Sequence, residues 1–201
     1  MGSAGTTFSG VLGRSRSSII AGARQTVPIL GIRRTTMLAV ARQAGVSKAT
    51  LYNHVRDKDE LLLLLIADGC QRAAAAAAAA GSVASERLAA AAAVVADDEV
   101  LVALRGREPA ALVPMLAIGA GPAWKSVREH TREMLTSAGL DDDHDNVDLT
   151  LRWLMSYVLT PGDADARQRA ARRLVAALSG STTLQVVSAN HSWSADPSRT
   201  A

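Results

Sequence analysis

Residues 57–80 read DKDELLLLLIADGCQRAAAAAAAA, and this stretch narrows the possible folds more than any other. Asp57 with Glu60 three residues on is an Asp version of the capping box, which opens a helix. Leu61 to Ala67 are apolar around the whole circumference, so the start of that helix must be buried on every side. The alanines that follow favour helix strongly, and Gly81-Ser82 makes the stop. A helix wrapped on all sides needs neighbours. Aromatic residues are 3% of the chain and period-two runs of β-branched residues are almost absent, so those neighbours are helices rather than strands. The sequence predicts an all-α protein.

Charge is unevenly spread. Residues 1–60 carry nine Arg and Lys against Asp57, Asp59 and Glu60, whereas residues 61–201 carry thirteen basic and sixteen acidic residues. A basic first quarter on an acidic body points to a polyanion at the small end. Cys70 is the only cysteine, which rules out an internal disulfide and fits a reducing compartment. The N-terminus lacks a signal-peptide pattern. The densest apolar run, Leu61 to Ala67, is a third of transmembrane length. The expectation is a soluble cytoplasmic protein with no membrane partner.

Upstream of Asp57 the chain spells three shorter helices. The first starts near Ser15–Ser18 with Ile19, Ile20, Ala23 and Val27 on one side; Pro28 breaks or kinks its last turn and Gly31 closes it. Thr35 or Thr36 is a natural N-cap for the second, with Met37, Val40, Ala41 and Ala44 at helical spacing. Gly45 stops it, Val46 plugs the angle, and Ser47 caps a third helix through Val55. Two short helices joined by AGVS make a helix-turn-helix. At 100° per residue Leu51 and Val55 face the core, while Ala49, Thr50 and Asn53 face away, flanked by Lys48, Tyr52 and His54. Such a helix fits the major groove: Asn53 can pair with adenine, Lys48 with guanine and Ala49 with a thymine methyl, leaving Thr50, Tyr52 and His54 for phosphates or bases.

The segment TTMLAVARQAGVSKATLYNHVRDKDELL resembles the DNA-binding domain of the TetR family of bacterial transcriptional regulators, over roughly residues 15–65. The match rests on Thr36, Val40-Ala41, Ala44 to Ser47, Leu51, Tyr52, His54, Lys58 and Leu61. The resemblance implies DNA contacts from Ser47, Lys48, Ala49, Thr50, Tyr52, Asn53 and His54, with Thr36 and Lys58 holding phosphates and Arg14 and Arg16 reaching the DNA from the arm. Four positions depart from the family pattern. Leu38 and Ala39 stand where polar residues are frequent, Pro28 interrupts the first helix, and Val55 replaces the usual Phe.

Beyond residue 81, helices are expected at about 85–96, 99–104, 109–118, 122–138 and 147–160, then a final one whose acids precede its arginines as the macrodipole prefers. The predicted organisation is a flexible arm at 1–13, a helix-turn-helix domain at 14–60, a larger helical domain at 61–180 and a tail at 181–201. By resemblance the larger domain binds a small molecule and its last two helices pair with a second copy, giving a homodimer on a palindromic operator. Met115, Trp124, His130, Met134 and Trp153, large or polar residues on apolar stripes, are the expected pocket. No cofactor is called for.

No enzyme chemistry is legible. The histidines 54, 130, 144 and 191 are far apart, and nucleophile and phosphate-loop motifs are missing. DDDHDN at 141–146 fails as a calcium loop, because Asn146 and Arg152 stand where Gly and an acid are needed. His130 beside Glu129 and Glu133 reads as an exposed helix face, so no metal site is expected. The functional expectation is a DNA-binding repressor released by a small ligand; a ligand-independent regulator or an activator of the same fold is the alternative.

Overall fold

The computed structural model describes the backbone of residues 4–188 except 117, 120 and 121, and side chains within 14–180 except 114, 115, 117 and 120–123. Among the described residues every regular element is helical. The order is α1 (Ala4–Leu30), α2 (Met37–Gln43), α3 (Lys48–Tyr52), α4 (Lys58–Ala79), α5 (Ala84–Ala96), α6 (Glu99–Arg107), a 3-10 segment (Pro109–Leu116), α7 (Pro122–Ser137), α8 (His144–Leu159) and α9 (Ala164–Ser188).

Helix α4 occupies the centre, packing on α5 and α7 and, near its start, on α1. Leu61, Leu62, Leu64, Leu65, Ile66 and Ala67 are buried and Leu63 is half-buried, as a nearly all-round apolar surface requires. Further along, only Ala73 and Ala77 of the alanine run are buried. By length and composition α4 could cross a membrane, which a count that ended at Ala67 did not anticipate; here its apolar start is spent inside the protein. Asp57 caps it, accepting from the Glu60 N–H at 2.8 Å. The return half of the box differs from expectation. The Glu60 carboxylate accepts from the N–H of Arg56, one residue before the cap, at 2.7 Å, and that bond holds Glu60 below the usual carboxylate range.

Several boundaries differ from the sequence reading. Helix α1 is helical from Ala4, upstream of the expected start and through most of the expected arm, because adding residues to a formed helix costs far less than nucleating one. It also runs past Pro28 to Leu30. Pro28 stands in the last turn, where a missing N–H removes one bond near a terminus and none beyond it. The segment expected as a helix at 109–118 is a 3-10 turn. Helix α8 starts earlier, at His144, because Asp143 caps it through the Asn146 N–H at 2.7 Å. Helix α9 continues to Ser188, into the expected tail; residues 189–201 lie outside those described.

The second half of the chain folds back on the centre: α5 packs on α9 and α8, and α7 on α8. Arg105 of α6 ties two helix ends together, donating to the Tyr157 and Val158 carbonyls at 3.2 Å each and to that of Ala96. Its charge thereby sits at the C-termini of α5 and α8, the negative ends of their dipoles.

Candidate nucleic-acid interface and effector cavity

Four helices build the reading head. Ile19, Ala23 and Val27 of α1, Val40 of α2, Leu51 of α3, Val55 and Leu61 are all buried, each at 1% exposure or less. Thr36 is the cap of α2, accepting from the Ala39 N–H at 3.1 Å. Thr35 is fully buried and turns its hydroxyl back to the Gly31 carbonyl at 2.7 Å. Gly45 has φ +64°, a left-handed conformation costly for any residue with a Cβ, and it reverses the chain into α3. Ser47 caps α3 through the Thr50 N–H at 3.0 Å.

Helix α3 is shorter than expected. It ends at Tyr52, Asn53 is its C-cap, and His54 stands in the turn that follows. Lys48, Ala49, Tyr52 and Asn53 are exposed, and Thr50 and His54 half-buried. The Lys48 ammonium lies 5.7 Å from the Tyr52 ring centroid, close enough for a cation–π attraction that orders both side chains. Thr50 also shares a 2.8 Å hydrogen bond with the Ser47 hydroxyl. Nearby, Arg16 of α1, His54 and Arg56 line one surface groove with Asp57, Asp59 and Glu60. Leu38 is 45% exposed on α2, an apolar contact surface rather than a hydrogen-bonding one.

Lys58 does something the sequence did not reveal. Its ammonium donates to the Ile32 and Arg33 carbonyls at 3.2 and 2.8 Å, fastening the α1–α2 connection to α4 and leaving one N–H over. In a helix this short each cap counts. Ser47→Ala is expected to cost about 1 kcal/mol of stability, measured by urea denaturation, with Ser47→Asp restoring most of it.

Residues 19–65 match the family model for bacterial regulatory proteins of the tetR family. The reading head is a TetR-family domain. No curated protein matches this sequence at a significant level. Among solved structures, the TetR-family repressor AlkX from Dietzia sp. strain DQ12-45-1b, implicated in biodegradation of n-alkanes, is similar with a TM-score of 0.64 at 18% identity, over 85% of this chain and 97% of that one. A protein from Rhodococcus sp. assigned to the TetR-family transcriptional regulators gives 0.51 at 19% identity, over 83% and 98%. These likenesses are of fold, and they reach the helices that the TetR-family model does not.

In those helices a partly open cavity of about 40 Å³ lies among α1, α4, α5, α6 and α8, lined by Leu65, Ile66, Gly69, Cys70, Val94, Val95, Val100, Leu101, Met155 and Val158 together with Arg24 and Asp98. Burial pushes the Cys70 thiol up to about 12, so that wall is uncharged at neutral pH. Arg24 and Arg72 both donate to Asp98, the former at 2.6 Å, and both reach Asp68, at 3.3 and 3.1 Å. Burial alone would raise the Asp98 carboxyl, yet the hydrogen bonds from Arg24 and Arg72 outweigh it and hold the group below the usual carboxylate range.

The expected pocket residues sit elsewhere. Trp124 and Met134 are buried in α7, at 4% and 2% exposure. His130 shares a hydrogen bond with Glu133 at 3.2 Å. Trp153 meets Tyr157 edge-to-face at 5.1 Å, and the Met115 side chain lies outside those described. None of the four described side chains lines this cavity. The cavity is walled mainly by Leu, Val and Gly rather than by the large side chains that the sequence singles out. The available signal was Asp68 and Arg72 at i, i+4, charges in a helix otherwise apolar enough to be buried.

Proposed function

We propose that this protein is a transcriptional regulator that reads a palindromic operator as a homodimer and represses until a small molecule occupies the cavity beside Arg24 and Asp98. The observation that carries the DNA reading is α3 itself: Leu51 is fully buried while Lys48, Tyr52 and Asn53 project outward between caps at both ends. That arrangement spends one anchor and presents donors and acceptors in the pattern a major groove can distinguish. Thr36, Lys58, Arg16 and His54 flank it and would position the head on the phosphates. Dimerisation through α8 and α9 is supported by the exposed Leu149 and Leu159, each at 44%. It would set two copies of α3 about 34–36 Å apart.

In-vitro selection tests this directly. Purified protein is incubated with random duplexes at moderate salt, which suppresses sequence-blind phosphate binding, and the retained fragments are sequenced. An enriched inverted repeat is expected from the wild type. The variant Lys48→Ala, Tyr52→Ala should lose the enrichment while keeping its melting temperature within a few degrees. Retention of arbitrary sequences, or an unchanged repeat from the variant, removes α3 as the reading element.

A further inference from the structure

Among the described residues the helix-turn-helix leaves two large apolar side chains exposed, Leu38 at 45% and Tyr52 at 42%. Tyr52 sits on the reading helix, carries a hydroxyl and lies against the Lys48 ammonium. Leu38 has none of these. An exposed leucine alone means little, so its direction on α2 decides what it can do.

Met37, Val40 and Ala41 form the buried stripe of α2. At 3.6 residues per turn, Gln43 stands on one flank of that stripe and Leu38 on the other. The Gln43 flank faces α1: its amide donates to the Gln25 side chain, and Ala39 and Gln43 line a surface groove with Gln25, Pro28 and Ile29. Leu38 and the exposed Arg42, four residues on, therefore look away from α1. Leu38 is also in the first turn, two residues past the Thr36 cap. With α3 in a major groove, α2 crosses the sugar-phosphate backbone beside it. The open flank of its first turn then lies over the edge of the groove that α3 occupies.

A leucine in that place has neither donor nor acceptor. Against a phosphate or the amino edge of cytosine or adenine it would strip water from a polar group and return no hydrogen bond, which costs affinity. The apolar group that a base pair displays in the major groove is the thymine C5-methyl, and contact with it removes apolar surface of both partners from water.

We propose that Leu38 is a second reader, packing on the methyl group of a thymine beside the steps that α3 contacts, so that α2 selects sequence as well as supporting α3. This rests on the operator reading above and adds a base and the side chain that selects it.

The test compares the wild type, Leu38→Ala and Leu38→Met, all as the full chain. Leu38 is exposed, so each variant should keep its melting temperature within a few degrees. The repeat that the wild type enriches from random duplexes is remade with each symmetric pair of thymines replaced by uracil, which keeps every hydrogen-bonding group and lacks only the methyl. Binding is titrated by fluorescence anisotropy at one fixed salt concentration. At one thymine pair uracil should weaken the wild type about ten- to twenty-fold, the worth of two buried methyl groups. Leu38→Ala should bind the thymine duplex more weakly and respond to that same replacement by less than about two-fold. Leu38→Met, which keeps an apolar chain of similar reach, should retain most of the thymine dependence. A repeat without thymine, uracil tolerated at every position, or a dependence in Leu38→Ala as strong as in the wild type overturns the assignment of Leu38 alone. No enriched repeat from the wild type sinks the operator reading, and the Leu38 assignment with it.

Discussion

Replacing Asp98 with alanine is expected to lower stability by about 3 kcal/mol, near the bottom of the range for breaking a buried ion pair. The low end applies because Arg24 and Arg72 are partly solvated, at 22% and 39% side-chain exposure, and both retain Asp68. Asp98 also caps α6, accepting from the Val100 and Leu101 N–H groups; loss of that cap is part of the figure, and Asp98→Asn, which keeps a capping oxygen, should cost less. In a chain of this length the alanine variant should melt about 6–12 °C lower. The pH dependence gives a sharper check. The Asp98 carboxyl is held below its ordinary value in the folded protein, so its contribution is complete above the unfolded value of about 3.9 and is lost as pH falls through the lower folded one. Denaturant titrations of wild type and Asp98→Ala should therefore differ by a constant amount from neutrality down to about pH 5 and converge below about pH 4. A difference undiminished in strong acid would show that packing, not charge, sets the cost.

Gly22→Val should be almost as damaging and should act at the contact between α1 and the end of α2. A Cβ built at Gly22 falls 2.7 Å from the Ala44 backbone nitrogen and 2.9 Å from its Cα and Cβ. Backbone cannot step aside as a side-chain tip can, so α1 and the end of α2 have to separate. Overpacking of this kind costs about 1–3 kcal/mol, and the helix-propensity gain from removing a glycine, about 0.5–1 kcal/mol, offsets part of it. We expect a net loss near 2 kcal/mol for valine and about half that for alanine, by thermal and urea melts. Operator retention should fall further than stability does, because the displaced residues lead straight into the turn at Gly45. A valine variant with wild-type stability and wild-type operator binding would mean that the two helices do not approach this closely in solution.

Much of the architecture was legible because it depends on short-range chemistry. Thr36, Ser47 and Asp57 each declare a helix start by their own side chains, and each forms the predicted bond. The burial of Leu51 and Val55 followed from their spacing alone. What the residues could not reveal depends on groups distant in sequence. Lys58 binds carbonyls 25 and 26 positions earlier, and Asp98 pairs with Arg24 across 74. A lysine at a helix start reads as a phosphate ligand, and that Lys58 also fastens the neighbouring loop shows only once that loop is in place. The cavity was missed for a related reason, since a void is defined by what several helices leave unfilled and no single stripe carries it. Helix ends governed by propagation, at Ala4 and Ser188, were also beyond local signals.

The brevity of α3 sets a limit on how much information this protein can draw from DNA. Five residues rise about 7.5 Å along the helix axis, which spans two to three base-pair steps of about 3.4 Å. If each half of a symmetric site contributes about three directly read pairs, two halves specify about six, a word that recurs every few thousand base pairs. A bacterial chromosome offers millions of competing positions. On the proposed symmetric site, direct contacts from such a reader therefore leave a shortfall of about three orders of magnitude, and the remaining discrimination would come from the spacing between halves and from how readily the intervening duplex bends and narrows.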